Sequence, residues 1–219
     1  MVQRFTPDQL DRLQAAVAEA ETRTSAEIVP CVVKRSDRYP EALARGAVWG
    51  GVLALVGWTL FDLLHTGIGW GWLHSEWGVC LVVTVGLLGG ALLGGMVPAV
   101  RRALVGDARM DQMVHRRAMR AFVEEEVFNT KARTGVLLLI SLDEHRVEVL
   151  ADEGISSRVA PEAWGELTAL IIQGIRSGDL PGALVEVFDR VAVLLGESGL
   201  PVASDDLNEL DNHLRVYAE

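Results

Sequence analysis

Few residues in this sequence stand in a pattern that could do chemistry. The two cysteines, Cys31 and Cys80, lie in apolar runs without the spacing of a zinc site, which predicts reduced structural thiols. The sequence contains no P-loop, no dinucleotide fingerprint and no cysteine followed by a phosphate-cradling loop. Residues 154–158 (GISSR) could wrap an anion, but the simpler interpretation is a loop leading into the next helix. The motifs therefore do not establish an enzyme.

Charge is distributed unevenly along the 219 residues. Residues 46–100 carry no Lys or Arg, and their only acids are Asp62 and Glu76. Residues 1–45 are neutral overall, and residues 101–219 contribute −8 of the formal net charge of −10. This segregation favours a membrane protein over a soluble one. An acidic polar part would repel phosphate, so we expect no nucleic-acid partner.

Two apolar stretches are long enough to cross a bilayer. Residues 78–100 hold 23 residues without a charge, about 34 Å of helix. The other stretch covers residues 46–64 and has a shorter uncharged core. The competing interpretation is a pair of buried core helices, which would leave too little protein to cover them. We therefore predict a two-helix transmembrane hairpin over residues 46–100.

Basic residues predict how this hairpin is oriented. They flank both spans on the polar side and are absent from the connection between the spans. The flanking residues are Lys34, Arg35, Arg38, Arg45, Arg101, Arg102 and Arg109. Cytoplasmic segments carry such an excess of Lys and Arg. We expect a multi-pass protein of the cell inner or plasma membrane with both termini in the cytoplasm.

Small residues recur at helical spacing in the second span, at Gly86, Gly90 and Gly94. Glycines four residues apart allow two helices to approach closely. One interpretation is a homo-oligomer formed through this face. The other is packing inside the hairpin, with Gly46 and Gly50 of the first span as partners.

A basic helix is predicted to follow the hairpin directly, over residues 107–128. Arg109, Arg116, Arg117 and Arg120 decorate it outside its apolar face. Near an anionic membrane surface each such charge contributes on the order of 1 kcal/mol to binding. The arginines could therefore face lipid, or they could simply be solvated.

The polar segments predict an α/β fold. A capped helix begins at Thr6 and precedes a strand at residues 26–34. After the hairpin come the basic helix, an apolar strand at 135–142, an alternating strand at 146–151 and two amphipathic helices. We expect an α/β/α sandwich around a small mixed sheet, with the hairpin inserted into it. The sandwich comprises residues 1–45 and 101–200, and residues 201–219 form an acidic tail.

Three stretches resemble the TPM domain family of thylakoid acid-phosphatase-like proteins and their bacterial membrane relatives. They are residues 20–29 (AETRTSAEIV), 133–141 (RTGVLLLIS) and 144–155 (EHRVEVLADEGI). Position 26 departs from the family pattern, which has glycine where this sequence has Ala26. The motifs belong to the core more than to an active site.

The resemblance implies an accessory role in a membrane complex, with calcium binding and a disputed phosphatase activity. Asp143, Asp152 and Glu153 match acidic positions of the family near strand ends, and Glu27 could join them as a ligand. Carboxylate oxygens suit Ca²⁺; the competing interpretation is ordinary surface carboxylates. We expect an interaction module with a membrane-protein partner and no assured catalysis. Alternatives are a metal-assisted phosphatase acting on phosphate esters and a lipid-surface sensor acting through the basic helix.

Overall fold

A computed structural model describes residues 5–64, 76–199 and 209–217. The chain divides into two compact units. One unit comprises residues 1–37 and 111–219, and the other comprises residues 38–110. The predicted outer connection and the first part of the acidic tail, residues 201–208, lie outside the described residues.

The first unit is built on a mixed sheet with strand order β3-β2-β1-β4. Strands β1 (Glu27–Val33), β2 (Gly135–Ser141) and β4 (Arg215–Tyr217) are parallel, and β3 (Arg146–Ala151) is antiparallel to β2. The predicted hairpin of two strands is therefore confirmed. Pro30 led us to expect an irregular or edge position for β1. In the described sheet β1 is internal, but β4 pairs only with Cys31–Val33, so Pro30 has a strand neighbour on one side.

Helices pack on both faces of this sheet. Alternate residues of β1 and β2, among them Ile28 and Leu138, join the core formed with α1 (Pro7–Glu21), α7 (Gly165–Ser177) and α8 (Leu180–Glu197). The intervening residues, among them Cys31 and Leu139, pack on α5 (Asp107–Glu124). This period of two explains why both central strands are buried along their whole length.

Short helical elements connect the larger ones of this unit. Helix α6 (Glu153–Ser156) follows β3, and a 3₁₀ turn at Pro161–Trp164 leads into α7. Helix α1 begins as predicted, because the Thr6 hydroxyl accepts from Gln9 N at 3.2 Å and the Gln9 side chain accepts from Thr6 N at 2.9 Å.

The second unit is a pair of apolar helices, α2 (Pro40–Leu64) and α3 (Glu76–Met96), followed by α4 (Pro98–Val105). Both long helices could cross a membrane by length and composition, and only 6% of each apolar window is buried. The second predicted span was drawn through residue 100, whereas α3 ends at Met96. Val97 is extended, and Pro98 begins α4 because its ring cannot continue the α3 helix.

Candidate functional site

The carboxylates proposed as metal ligands lie at two opposite edges of the sheet. β1 and β2 begin at one edge, which we call the strand-start edge, and antiparallel β3 ends there. Glu27 faces Gly135 in the register, and Asp152 N donates to Gly135 O at 2.9 Å. Asp143 instead follows the far end of β2, about 20 Å away along the strand. The structure therefore brings Glu27, Asp152 and Glu153 to one edge and leaves Asp143 at the other.

Glu27 is held by the backbone of the C-terminal segment. Its side chain is buried, with 6% of the residue exposed. Its two carboxylate oxygens accept from Glu209 N at 3.0 Å and from Leu210 N at 3.3 Å. Such bonds satisfy a buried carboxylate, so Glu27 has a structural role without a cation.

Asp152 caps a helix and faces an arginine. Its Oδ1 accepts from Glu153 N at 2.8 Å as the N-cap of α6. Its Oδ2 lies 2.9 Å from Arg133 Nε, as an ion pair without an aligned hydrogen bond. Glu153 is exposed in the first turn of α6. Within the described ranges no group of three or more His, Cys, Asp or Glu could hold a metal, so these side chains do not fit a calcium site as they stand.

Two glycines of the family-like stretches shape the same edge. A Cβ on Gly135 would lie 1.9 Å from Val127 O, and one on Gly154 would lie 2.5 Å from Ala132 O. Gly154 N also donates to Arg133 O at 2.9 Å. These residues let the loop before β2 pass closely over the strand ends. Residues 154–156 lie in the short helix α6 and residues 157–158 form a turn, so this stretch connects β3 to the next helix, as the simpler interpretation predicted, but with a helical turn where a loop was expected.

Glu21 is a partly buried carboxyl that the sequence analysis missed. Its Oε1 accepts from Ile28 N at 2.9 Å, and its Oε2 accepts from the Asn212 amide. The pKa of Glu21 is raised to about 7, chiefly because burial desolvates the carboxylate; the Ile28 hydrogen bond lowers this pKa and the nearby Glu27 charge raises it. Its position at the end of α1, directly before a buried strand, was the one available sequence signal.

The C-terminal segment ends in a second polar cluster. Arg215 Nε donates to Glu125 Oε2 at 2.8 Å, and the Tyr217 hydroxyl donates to the same carboxylate. Burial alone would raise the pKa of Glu125, but the bonds from Tyr217 and Arg215 outweigh it and lower that pKa. Arg117 lies over the Tyr217 ring at 4.7 Å from its centroid. This cluster fastens β4 beside β1.

The four arginines proposed to face lipid do not act as one group. Arg109 Nε pairs with Glu41 at 2.9 Å. Arg117 pairs with Glu124 at 3.0 Å and stacks on Tyr217. Arg116 and Arg120 are exposed on α5. Only these two arginines remain on an open face.

The three spaced glycines of α3 are used inside the hairpin. A Cβ on Gly90 would lie 2.0 Å from Gly46 O, and one on Gly86 would lie 2.6 Å from Gly50 O. One on Gly94 would lie 2.3 Å from Ala42 O. The backbones of α2 and α3 are therefore in direct contact. This is the second of the two interpretations drawn from the sequence.

The cysteines are both free. Cys31 is buried in β1 and Cys80 is exposed on α3. Desolvation raises the pKa of the Cys31 thiol to about 12, so this thiol is unreactive at neutral pH.

Comparison with known proteins gives one family and one structure. A family model described as TPM domain matches residues 100–194. This range contains two of the three stretches on which the resemblance was based, and the third lies before it. The fold is similar to the NMR structure of BA42 protein from the psychrophilic bacterium Bizionia argentinensis, with TM-score 0.58 and 18% identity over 99% of each chain. At that identity the likeness concerns the fold alone. No curated protein matches the sequence.

Proposed function

Residues 100–194 belong to the TPM domain family, and from this premise we propose that the chain is a membrane-anchored accessory domain that binds a protein partner in a membrane complex. The anchor is the pair α2 and α3. The observation that carries this proposal is the outward exposure of their large apolar side chains, such as Leu53 and Leu92. Exposing that apolar surface to water would cost free energy, whereas the hydrocarbon of a bilayer would cover it.

An accessory role is supported by the state of the carboxylates. Glu27 accepts from backbone N–H groups, Asp152 caps α6 and forms an ion pair with Arg133, and Glu125 accepts from Arg215 and Tyr217. Catalysis of phosphoryl transfer needs a nucleophile or activated water with a metal or positive charge on the phosphate. These three carboxylates are instead engaged in contacts within the fold.

Orientation is part of the proposal. The basic residues on the polar side of both spans favour a cytoplasmic sandwich, in an inner or plasma membrane. A cysteine at Trp77, exposed at the start of α3, should react with a membrane-impermeant maleimide in intact cells when Cys80 is replaced by serine. A cysteine at Ser198, at the end of α8, should react only after lysis. The reverse pattern would contradict the orientation.

The accessory role is tested by site-specific crosslinking. A photoreactive amino acid at exposed positions of the sandwich, such as Val185 and Val193, is irradiated in native membranes after carbonate washing. We expect a defined membrane-protein adduct from at least one position, with no adduct when the same residue is placed at buried Leu184. Hydrolysis of a generic phosphate ester by the purified chain with Ca²⁺ or Mg²⁺, abolished by Asp152→Asn, would instead support the phosphatase alternative.

A further inference from the structure

The open face of α5 combines basic and apolar side chains. At 100° per residue, the buried positions Met110, Val114, Ala118 and Ala121 define one side of the helix. The opposite side presents Gln112, Arg116, Met119, Arg120 and Val123, which we call the α5 stripe. Met119 is 49% exposed and Val123 is 61% exposed. No acidic residue lies in this stripe, although the whole chain has a net charge of −10.

Two acidic side chains beside the α5 stripe, Glu148 and Glu124, already have partners. His115 Nδ1 lies 2.8 Å from Glu148 on one flank. Arg117 pairs with Glu124 at 3.0 Å on the other flank. Of the residues described, none forms an ion pair with Arg116 or Arg120. The exposed positive charge of the stripe is therefore available to an external anion.

The chain tethers this stripe to the hairpin over a short contour. From Pro98 to Arg116 it runs through α4, Gly106 and the first ten residues of α5, a length of at most about 30 Å. A surface tethered at this range meets the bilayer at a high effective concentration, so a weak affinity suffices. Basic residues interleaved with exposed apolar ones suit the interface of an anionic leaflet, where the arginines meet headgroups and the apolar groups enter the boundary.

We propose that the α5 stripe docks the sandwich onto the anionic lipid surface beside the hairpin. The inference rests on the proposed membrane anchoring and adds to it a second, electrostatic contact. Of the four arginines that the sequence suggested could face lipid, only Arg116 and Arg120 take part in this contact. It also adds Met119 and Val123 as the groups that enter the lipid boundary.

The test uses the full chain with a single spin label. Cys80 is replaced by serine and Met119 by cysteine; buried Cys31 stays in place because it is unreactive. The protein is reconstituted in vesicles of zwitterionic lipid alone or with anionic phosphatidylglycerol. Electron paramagnetic resonance then compares the access of oxygen and of a water-soluble nickel complex to the label. A label at Val193, exposed on α8, serves as the aqueous control.

We expect the label at position 119 to become lipid-exposed only in anionic vesicles and to return to water in high salt. The double charge reversal Arg116→Glu with Arg120→Glu should abolish docking. Neutralising either arginine alone should weaken docking roughly fivefold, because each charge contributes about 1 kcal/mol. Arg190→Glu, a charge reversal on exposed α8, should leave docking unchanged.

The outcomes separate the two proposals. A label at position 119 that stays aqueous in every vesicle overturns the docking proposal, provided that the chain remains with the vesicles after carbonate washing. Loss of the chain from the vesicles on washing overturns the membrane anchoring itself. A label that is protected only when an added acidic protein is present would assign the stripe to a protein partner and would equally overturn lipid docking.

Discussion

The packing inside the hairpin is the opposite of the packing inside the sandwich. In the hairpin, α2 and α3 meet at glycines, whose lack of a side chain lets the two backbones touch. The large apolar residues point outward. In the sandwich, the large apolar residues interdigitate between the sheet and the helices, and polar groups point outward. The proposed membrane anchor accounts for this difference, because lipid provides no hydrophobic drive between two helices and water does. Residues of the same type therefore have different energetic roles in the two units.

The largest expected effect is the loss of the hairpin packing in Gly90→Leu. A Cβ at this position would lie 2.0 Å from Gly46 O and 2.9 Å from Gly50 Cα, and backbone cannot move aside as a side chain can. We expect a destabilisation on the order of 3 kcal/mol or more. Disulfide crosslinking between cysteines placed in α2 and α3 should fall sharply in this variant.

Gly89→Leu is the matched control for that experiment. It is the neighbouring residue, and a Cβ there meets nothing within 4 Å. Crosslinking between α2 and α3 should stay at the level of the unsubstituted protein. Equal losses in both variants would show that the helices do not pack through the glycine face.

A leucine truncation made in each unit compares the two kinds of packing directly. Leu184 is fully buried in the sandwich, and Leu92 is 61% exposed on α3. Leu184→Ala should destabilise the sandwich by about 2–5 kcal/mol because it leaves a cavity. Leu92→Ala should change the stability of the hairpin by less than about 1 kcal/mol, because lipid fills the space. Denaturant unfolding in a mild detergent measures both, and a Leu92→Ala cost equal to that of Leu184→Ala would contradict the lipid-facing assignment.

A smaller effect is expected from pH at the strand-start edge. The folded protein holds the Glu21 proton up to about pH 7, whereas the unfolded chain releases it near the ordinary glutamate pKa of 4.5. Stability from this group is therefore complete below the unfolded pKa and falls as pH rises toward 7, by at most about 1.4 kcal/mol per pH unit. Glu21→Gln should flatten this decline between pH 5 and 7. An unchanged slope in the variant would show that Glu21 titrates normally.

Local patterns predicted much of the fold. The capping box at Thr6 fixed the start of α1, and the run at residues 135–142 gave a strand buried on both faces. The three polar residues after this run predicted the turn of the hairpin between β2 and β3. Each of these features is determined by residues a few positions apart, so it can be predicted from the local sequence alone.

Contacts between distant residues were not predicted. β4 was assigned to an acidic tail because its partner β1 lies about 180 residues earlier, and three residues of strand carry little periodicity. The hydrogen bond that Glu21 accepts from Asn212 involves the same distant segment. The separation of Asp143 from Asp152 was implied by the hairpin already predicted, because the two residues flank the six-residue strand β3 on opposite ends.

That separation leads to the smallest expected effect, on calcium binding. Calcium is implied by the family resemblance, while Asp152 already faces Arg133 and Asp143 lies at the other edge of the sheet. In a calorimetric titration of the full chain in detergent we expect Asp143→Asn to leave any Ca²⁺ signal unchanged. Arg133→Gln should strengthen that signal, because it leaves the Asp152 carboxylate without its cation. Equal loss of Ca²⁺ binding in Asp143→Asn and Asp152→Asn would instead require the two edges to share one site, which the register of β2 and β3 does not allow.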